Sequence, residues 1–228
     1  MVQAWHQPVA TPPPTDGRGR PQLVLEILNT GEKIAVPAHR EDGGFRAYDA
    51  DRLAHRLRDT RTNNELPLDP ELLDLVYQVQ THFKAGAIRV ISGYRTRTPT
   101  GQSNHGRGRA IDIIVPGTKD EDVAQFVRSR GFVGVGLYPT SGFVHVDIRP
   151  QSYYWVDRSG PGQRNREQAT LASEAAANDA RATAAGRKAH RRWAEPSNDV
   201  AAVWGGGAVT PAASTDAEDQ EDDLDEDP

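Results

Sequence analysis

The chain has 228 residues, of which 36% are hydrophobic and 26% charged, and it contains no cysteine. The absence of cysteine excludes disulfides and thiolate metal sites, so any zinc would be held by nitrogen and oxygen ligands. Nine acidic and no basic residues lie between 216 and 228, so the formal charge changes from −5 to about +4 when they are left out. A weakly basic body suits an anionic polymer but lacks the footprint of a nucleic-acid-binding protein. We therefore expect no nucleic-acid partner.

The chain opens with a lead-in over residues 1–21 that is rich in proline and polar residues and has three consecutive prolines at 12–14. This composition predicts a disordered or polyproline-like segment. The start lacks the basic and apolar regions of a signal peptide, and no run is long and apolar enough to predict a transmembrane segment. The apolar run 23–28 and the segment 33–36, separated by Asn29-Thr30-Gly31, predict a β-hairpin.

Two helices are predicted next, over residues 48–58 and from Asp69 towards Gly86. In the second, Asp69 can act as the N-cap, Pro70 suits the first turn, and Gly86 can terminate the helix. Apolar residues recur at helical spacing between these signals. A short buried strand is predicted over residues 88–91.

The second half of the predicted domain is rich in strands. Residues 110–115 predict a strand, and Thr118 begins a capping box that predicts a helix ending at Gly131. Two further strands, 135–138 and 143–148, are joined by a hairpin turn, and residues 153–156 predict a last edge strand. Because helices precede a cluster of strands, the predicted class is α+β, with a small antiparallel sheet and flanking helices.

The predicted organisation is a single compact domain over residues 22–157, followed by two segments of different composition. Residues 158–204 are rich in alanine and arginine and predict a linker that could be helical, although it lacks a continuous apolar stripe. Trp193 and Trp204 are its large apolar residues. Residues 205–228 predict a disordered acidic tail.

Three residues form the strongest candidate site. His105 and Asp112 lie at the two ends of the run S-N-H-G-R-G-R-A-I-D, and His145 lies in the apolar strand F-V-H-V-D-I. Gly106 and Gly108 make it sterically easy for the loop to fold back beside the strand. Two histidines and one aspartate suffice to hold a catalytic zinc with water in the fourth position, which indicates a hydrolase. The same set could hold iron, but no redox feature accompanies it.

Each of these residues alone has an ordinary structural explanation. His105 could be an ordinary loop histidine, and Asp112 could pair with Arg109 or cap a turn. His145 could be a hydrogen-bonded core residue. Asp147 follows His145 by two positions and so faces the same side of the strand. It could act as general base, orient His145, or pair with Arg149.

Three further residues are candidates for contact with a substrate. Arg95 ends the segment S-G-Y-R and could clamp a carboxylate or carbonyl. Alternatively, it could be a surface arginine or one that is paired with an aspartate. Ser103 could support its loop or bind substrate, and loop support is favoured. Tyr138 could line a cleft or fill the core, and the core is favoured.

The segments I-S-G-Y-R at 91–95, S-N-H-G-R-G-R-A-I-D at 103–112 and G-V-G-L-Y-P-T-S-G-F-V-H-V-D at 134–147 carry a family resemblance. Over residues 23–155 the chain resembles the zinc D-Ala-D-Ala carboxypeptidases and murein endopeptidases. The resemblance implies a compact α+β fold like that of the zinc-binding domains of hedgehog-like proteins. It implies zinc ligands at His105, Asp112 and His145, a substrate contact at Arg95, and a substrate in the peptide stems or cross-links of peptidoglycan.

The chain departs from this family where a general base is expected. Some relatives carry H-x-H or E-x-x-H at the last motif, and the matching positions here are Phe143 and Gly142. Asp147 is then the remaining candidate base. Two functions follow as hypotheses: a zinc peptidase acting on peptidoglycan, either endopeptidase or carboxypeptidase, and an inactive zinc-containing wall-binding or regulatory module. A third is a scaffold acting through the acidic tail. A peptidoglycan substrate implies the cell envelope or periplasm, and we expect a monomer.

Overall fold

A computed structural model describes residues 2–9, 11–96, 103–160, 163 and 166–189. In chain order, its elements are α1 (Val2–Trp5), β1 (Leu23–Ile27), β2 (Glu32–Val36), α2 (Ala47–Arg56), α3 (Pro70–His82), β3 (Ile88–Ser92), a 3-10 helix (His105–Arg107), β4 (Ala110–Ile114), α4 (Asp120–Arg128), β5 (Val133–Tyr138), β6 (Phe143–Ile148), β7 (Tyr153–Asp157), β8 (Glu167–Thr170) and α5 (Ala172–Ala184). The predicted α+β class is confirmed. The predicted strands up to β7 all form, within one or two residues of their expected ends.

The sheet differs from the small antiparallel sheet that was predicted. Its eight strands run in the order β2-β1-β3-β4-β6-β5-β7-β8, and the pairs β1–β3 and β5–β7 are parallel. The crossover through α2 and α3 brings β3 back in the direction of β1, which makes that pair parallel. β7 is not an edge strand, since β8 pairs with it in antiparallel fashion. The prediction was therefore wrong in the size of the sheet and in its strand directions.

Strand alternation gives the centre of the sheet two faces of different character. One face belongs to the hydrophobic core beneath α3 and α4, and its fully buried residues on β4 and β6 are Ile111, Ile113, Val144 and Val146. The residues between them, including Asp112 and His145, point to the other face. The helices therefore cover one side of the sheet, and the candidate ligands lie on the other.

Local helix signals were followed at α3 but not at α4. The Asp69 carboxylate accepts a hydrogen bond from the Glu71 amide at 3.0 Å, as expected for an N-cap. The helix ends at His82, before Gly86 is reached. The capping box predicted at Thr118 is wrong, because α4 begins at Asp120 and its first turn has no side-chain cap. The Thr118 amide instead closes a turn onto the carbonyl of Val115 at 3.0 Å.

The lead-in at residues 1–21, predicted to be disordered, makes specific contacts in its described part. The Arg89 guanidinium donates to the carbonyls of Trp5 at 2.5 Å and Gln7 at 3.1 Å. The Gly117 amide donates to the carbonyl of His6 at 2.8 Å, and the His6 ring lies 3.2 Å from the Asp120 carboxylate. The backbone carbonyls of Trp5, His6 and Gln7 thus accept hydrogen bonds from the protein, whereas a disordered segment would expose them to solvent.

Regular structure continues after residue 157. β8 and α5 lie within the predicted linker, and Ala175 and Ala182 of α5 are buried. The Asp179 carboxylate accepts from the amides of Phe132 at 2.7 Å and Ser152 at 2.8 Å. The tryptophans at 193 and 204 and the acidic tail lie outside the described residues. Of the described helices, none is both long and apolar enough to cross a bilayer.

Candidate metal centre

Two of the candidate ligands are brought together by strand register. Asp112 of β4 lies directly opposite His145 of β6 in the antiparallel ladder. Residues opposite each other in such a pair share a face and have their Cβ atoms about 4.5–5.5 Å apart. Their separation of thirty-three positions in the sequence therefore does not matter, because register alone makes the two side chains neighbours.

The third ligand arrives on the loop that precedes β4. His105 begins the 3-10 helix, which ends at Arg107 and is capped by Gly108 with φ 68° in the left-handed region. A Cβ at position 108 would also lie 2.7 Å from the carbonyl oxygen of Pro67. Both conditions require glycine, so this residue allows the loop to turn back over the sheet, as the sequence predicted. Gly106 lies inside the helix and is not among the glycines with positive φ.

The three side chains converge at distances that suit a metal ion. His105 Nε2 lies 3.2 Å from His145 Nδ1 and 3.4 Å from Asp112 Oδ1, and His145 Nδ1 lies 2.8 Å from Asp112 Oδ1. Tetrahedral bonds of about 2.0–2.1 Å place neighbouring ligand atoms about 3.3 Å apart. Within the described ranges, these residues form the one group of three or more potential ligands. The arrangement thus fits a tetrahedral zinc with one position left for water.

The outward-facing nitrogen of each imidazole also has an acceptor. His105 Nδ1 lies 2.7 Å from the carbonyl oxygen of Gly93. His145 Nε2 lies 3.1 Å from Asp147 Oδ2. A histidine that binds a metal usually donates its other N–H to a carbonyl or carboxylate, which fixes the tautomer and the ring orientation. Both histidines meet that condition, which leaves His105 Nε2 and His145 Nδ1 as the ring nitrogens that face the cluster.

Arg95 contacts the candidate ligand Asp112. Its Nη2 donates to Asp112 Oδ2 at 2.8 Å, and its Nε donates to Ser92 Oγ at 2.8 Å. The following residue is held in place by Asp59, whose carboxylate accepts from the Thr96 amide at 2.9 Å. Arg95 therefore fixes the oxygen of Asp112 that faces away from the two histidines.

The two histidines have pKa values shifted in opposite directions. Burial lowers the pKa of His105, and the charge of nearby Arg95 lowers it further. Burial also disfavours the charged form of His145, but its hydrogen bonds with Asp112 and Asp147 prevail and raise its pKa to about 10. Without a metal, His145 is a cation between two carboxylates. A metal ion would have to displace the proton on its Nδ1.

Asp147 is completely buried and lies on the far side of His145 from the cluster. Its Oδ1 accepts from the Arg149 Nε at 2.7 Å and from the Gly134 amide at 3.1 Å. Its Oδ2 faces His145 Nε2 and also accepts a short hydrogen bond from Arg149 Nη2. These contacts use both carboxylate oxygens and hold the pKa of Asp147 low despite its burial.

An aromatic cluster borders the site, and the sequence analysis missed its central member. The indole of Trp155 lies 5.2 Å from the His145 ring and donates from Nε1 to Tyr138 Oη at 3.1 Å. Tyr138 stacks on Phe143 at 4.3 Å. A Cβ at Gly136 would lie 2.5 Å from the indole. The two glycines in Gly134-x-Gly136 on β5 were the sequence signal that could have indicated this cluster, because they leave room for large side chains on that face of the strand.

Ser103 lies at the start of the His105 loop. Its Oγ accepts a hydrogen bond from the His105 amide at 3.2 Å. This contact supports the loop locally, as a serine in a tight turn often does. The structure therefore brings five of the candidate residues (Arg95, His105, Asp112, His145 and Asp147) into one network, with Ser103 and Tyr138 at its margins.

Comparison with known proteins identifies the relatives of this chain. The family model Peptidase_M15_2, described as peptidoglycan L,D-endopeptidase MepK, matches residues 17–154. The probable peptidoglycan L,D-endopeptidase MepK of Haemophilus influenzae is 33% identical over 141 residues, which cover 56% of this chain and 75% of that protein. The peptidoglycan L,D-endopeptidase MepK of Escherichia coli strain K12 is 33% identical over 145 residues, covering 58% and 79%. No solved structure gives a significant match. The matched region contains the whole candidate centre, and the chain belongs to this peptidase family.

Proposed function

We propose that the chain is a zinc peptidase that hydrolyses peptide bonds in peptidoglycan. The observation that carries the proposal is the spacing of three ligand atoms, 2.8–3.4 Å apart, in a member of a peptidase family. The relatives at 33% identity are named L,D-endopeptidases. We therefore favour cleavage of a cross-link by an endopeptidase over removal of a terminal residue.

The ligand residues have defined roles in this proposal. His105 through Nε2, His145 through Nδ1 and Asp112 through Oδ1 would hold the ion. A bound zinc would supply a water of lowered pKa and Lewis acidity for the scissile carbonyl. Arg95 orients Asp112, and its side chain is 24% exposed, which leaves a clamp on a substrate carboxylate as a further role.

We assign Asp147 to orientation rather than to proton transfer. It contacts the His145 nitrogen that faces away from the cluster, and it has no solvent exposure. A general base must come within about 2.6–3.2 Å of the proton it removes, directly or through one water. This placement supports the orienting role. Tyr138 and Ser103 are proposed to border the substrate cleft.

One feature favours a second candidate function, an inactive zinc module that binds the wall. Positions 142 and 143 hold glycine and phenylalanine, neither of which can accept a proton. Asp147, the nearest alternative, is already engaged by Arg149 and Gly134. The module would keep zinc and bind peptidoglycan without cutting it.

Mass spectrometry of digested muropeptides separates the candidates. Zinc-loaded full-length protein should convert cross-linked muropeptides into products split at an L,D bond. H105A should produce none, whereas H55A, a matched control at an exposed histidine paired with Glu65, should match wild type. Intact muropeptides after long incubation with protein that retains about one zinc would favour the inactive module. If the protein neither retained zinc after loading nor cut muropeptides, both candidates would be overturned.

The proposed substrate also predicts a location. Peptidoglycan lies outside the cytoplasmic membrane, so we propose that the protein acts in the cell envelope or periplasm. Fractionation of cells that express the tagged full-length chain tests this, with a cytoplasmic enzyme as the control. Recovery in the cytoplasmic fraction alone would contradict the proposed location.

A further inference from the structure

An ion pair behind His145 has contacts that the proposed reaction does not by itself explain. Asp147 has 0% exposure, and burying an unpaired carboxylate costs several kcal/mol. Arg149 offsets this cost with two parallel hydrogen bonds, from Nε and Nη2 to the two oxygens of the carboxylate. Such a bidentate contact fixes geometry as well as charge.

The guanidinium of Arg149 is itself held in place. Its central carbon lies 5.5 Å from the ring of Tyr153 and 5.8 Å from the ring of Trp155, and Trp155 in turn contacts the ring of His145. The Arg149 amide donates to the carbonyl of Phe132 at 3.0 Å. Both the backbone and the side chain of Arg149 are thus held in place, so Arg149 fixes the position of Asp147.

Gly134 completes this arrangement. It lies opposite Asp147 in the β5–β6 ladder, and its amide donates to the carboxylate. A Cβ at this position would overlap both the Asp147 carboxylate and the Arg149 guanidinium. The Asp147–Arg149 ion pair therefore occupies the space that a side chain at position 134 would need.

We infer that Arg149 and Gly134 are positioning residues, which act through Asp147 to aim Nδ1 of His145 at the metal. The inference rests on the proposed zinc site and extends it by two residues. An imidazole that donates its outer N–H to a fixed, ionised carboxylate is a better oriented and more basic ligand. Without Arg149, the carboxylate of Asp147 would lose two of the hydrogen bonds that fix its orientation, and His145 would lose its fixed acceptor.

Zinc affinity of the full-length chain, measured by competition with a chromophoric chelator, tests the inference. R149M should bind zinc about 10–100-fold more weakly than wild type. R149K, which keeps the charge but loses the two-pronged contact, should fall between them. R89M is the matched control, because the Arg89 and Arg149 side chains are both 17% exposed and Arg89 is paired with Glu26 on another part of the sheet. It should lose stability but not zinc affinity.

Two further measurements distinguish aiming from simple destabilisation. G134A keeps every charge and displaces the ion pair, so it should weaken zinc binding even if R149M does not fold. Nitrogen-15 NMR of zinc-loaded protein should report a single His145 tautomer in wild type and a mixture in R149K. If R149M or G134A bound zinc as tightly as the control R89M does, the inference would be overturned, whereas the proposed zinc site would stand. Wild-type protein that binds no zinc would overturn the proposed site together with it.

Discussion

His105 and His145 reach the same cluster from different kinds of structure, one from a loop and the other from a strand. The loop histidine is positioned by its own backbone, through a left-handed glycine at 108 and a hydrogen bond to the Gly93 carbonyl. The strand histidine is positioned by cross-strand register and by a buried ion pair. The loop should therefore control whether the centre assembles. The strand should control both the centre and the stability of the sheet.

Removing each histidine gives the largest expected effects and tests this division directly. H105A and H145A should both lose zinc and at least roughly 10³-fold in activity, because the metal supplies several kcal/mol of transition-state stabilisation. H145A should also lose about 3 kcal/mol of folding free energy, since it leaves two buried carboxylates without the imidazole between them. H105A should lose about 1 kcal/mol. Metal analysis, peptidase assays and urea unfolding measure the three quantities, and equal stability losses would contradict the comparison.

The pH dependence of zinc binding is the next largest effect. In metal-free protein the pKa of His145 is raised to about 10, above the usual value of 6.5. Its stabilising contribution is therefore complete below about pH 6.5 and is lost as pH rises towards 10. Zinc must displace one proton from this ring, so zinc affinity should rise about tenfold per pH unit between pH 7 and 9.

Two measurements check these opposite trends. Thermal unfolding of chelator-treated protein should show stability falling from pH 7 to pH 10, and chelator competition should show zinc affinity rising over the same range. D147N removes one of the two carboxylates that raise the pKa, so both slopes should become shallower. A zinc affinity independent of pH would mean that Nδ1 of His145 is not the ligand.

The backbone of the loop can be tested with two matched glycines. Gly108 and Gly31 have almost the same left-handed φ, 68° and 69°, but a Cβ would meet the Pro67 carbonyl only at 108 and nothing within 4 Å at 31. G31A should cost about 1 kcal/mol of stability from the backbone conformation alone, with zinc affinity unchanged. G108A should cost more and weaken zinc binding, because His105 must move with its loop. Unchanged zinc affinity in G108A would show that the loop does not set the position of His105.

The sequence predicted the parts of this centre that depend on short-range patterns. Alternating apolar residues identified β4 and β6, and the loop glycines indicated that His105 could turn back towards Asp112. The structure brings the side chains of His105, Asp112 and His145 together, with their candidate ligand atoms within 3.4 Å of one another. Such patterns are readable because strand period and glycine conformation are local properties.

Features that depend on packing between distant segments were not predicted. Pairing with an aspartate was one alternative for Arg95, but the choice of Asp112 as that aspartate follows from the β3–β4 register. The place of Trp155 over Gly136 depends on parallel pairing between β5 and β7. β8 was missed because its residues, Glu-Gln-Ala-Thr, carry no apolar alternation, and the strand is defined by its antiparallel pairing with β7. The capping box at Thr118 failed because a turn onto Val115 used its amide.

The smallest effect is expected at Asp59, which supports the segment that carries Arg95 on the loop side of the site. Burial would raise the pKa of its carboxyl, but the amides of Thr96 and Arg61 that donate to it prevail and lower the pKa to about 2. Because the folded-state pKa is depressed, its contribution is present above about pH 4 and is lost as pH falls towards 2. D59N should therefore cost about 1 kcal/mol at pH 7 and nothing near pH 2.

Urea unfolding of wild type and D59N between pH 2 and pH 7 measures this difference. Loss of the carboxylate should also let the Thr96 backbone move, so peptidase activity at pH 7 should fall by a small factor while bound zinc stays at its wild-type level. D51N is the matched control, because Asp51 is an exposed carboxylate. A difference between D59N and wild type that persists unchanged down to pH 2 would mean that the amide contacts, and not the charge, stabilise this segment. In that case the support of Arg95 would be set by backbone shape, as His105 is, rather than by an ionised group, as His145 is.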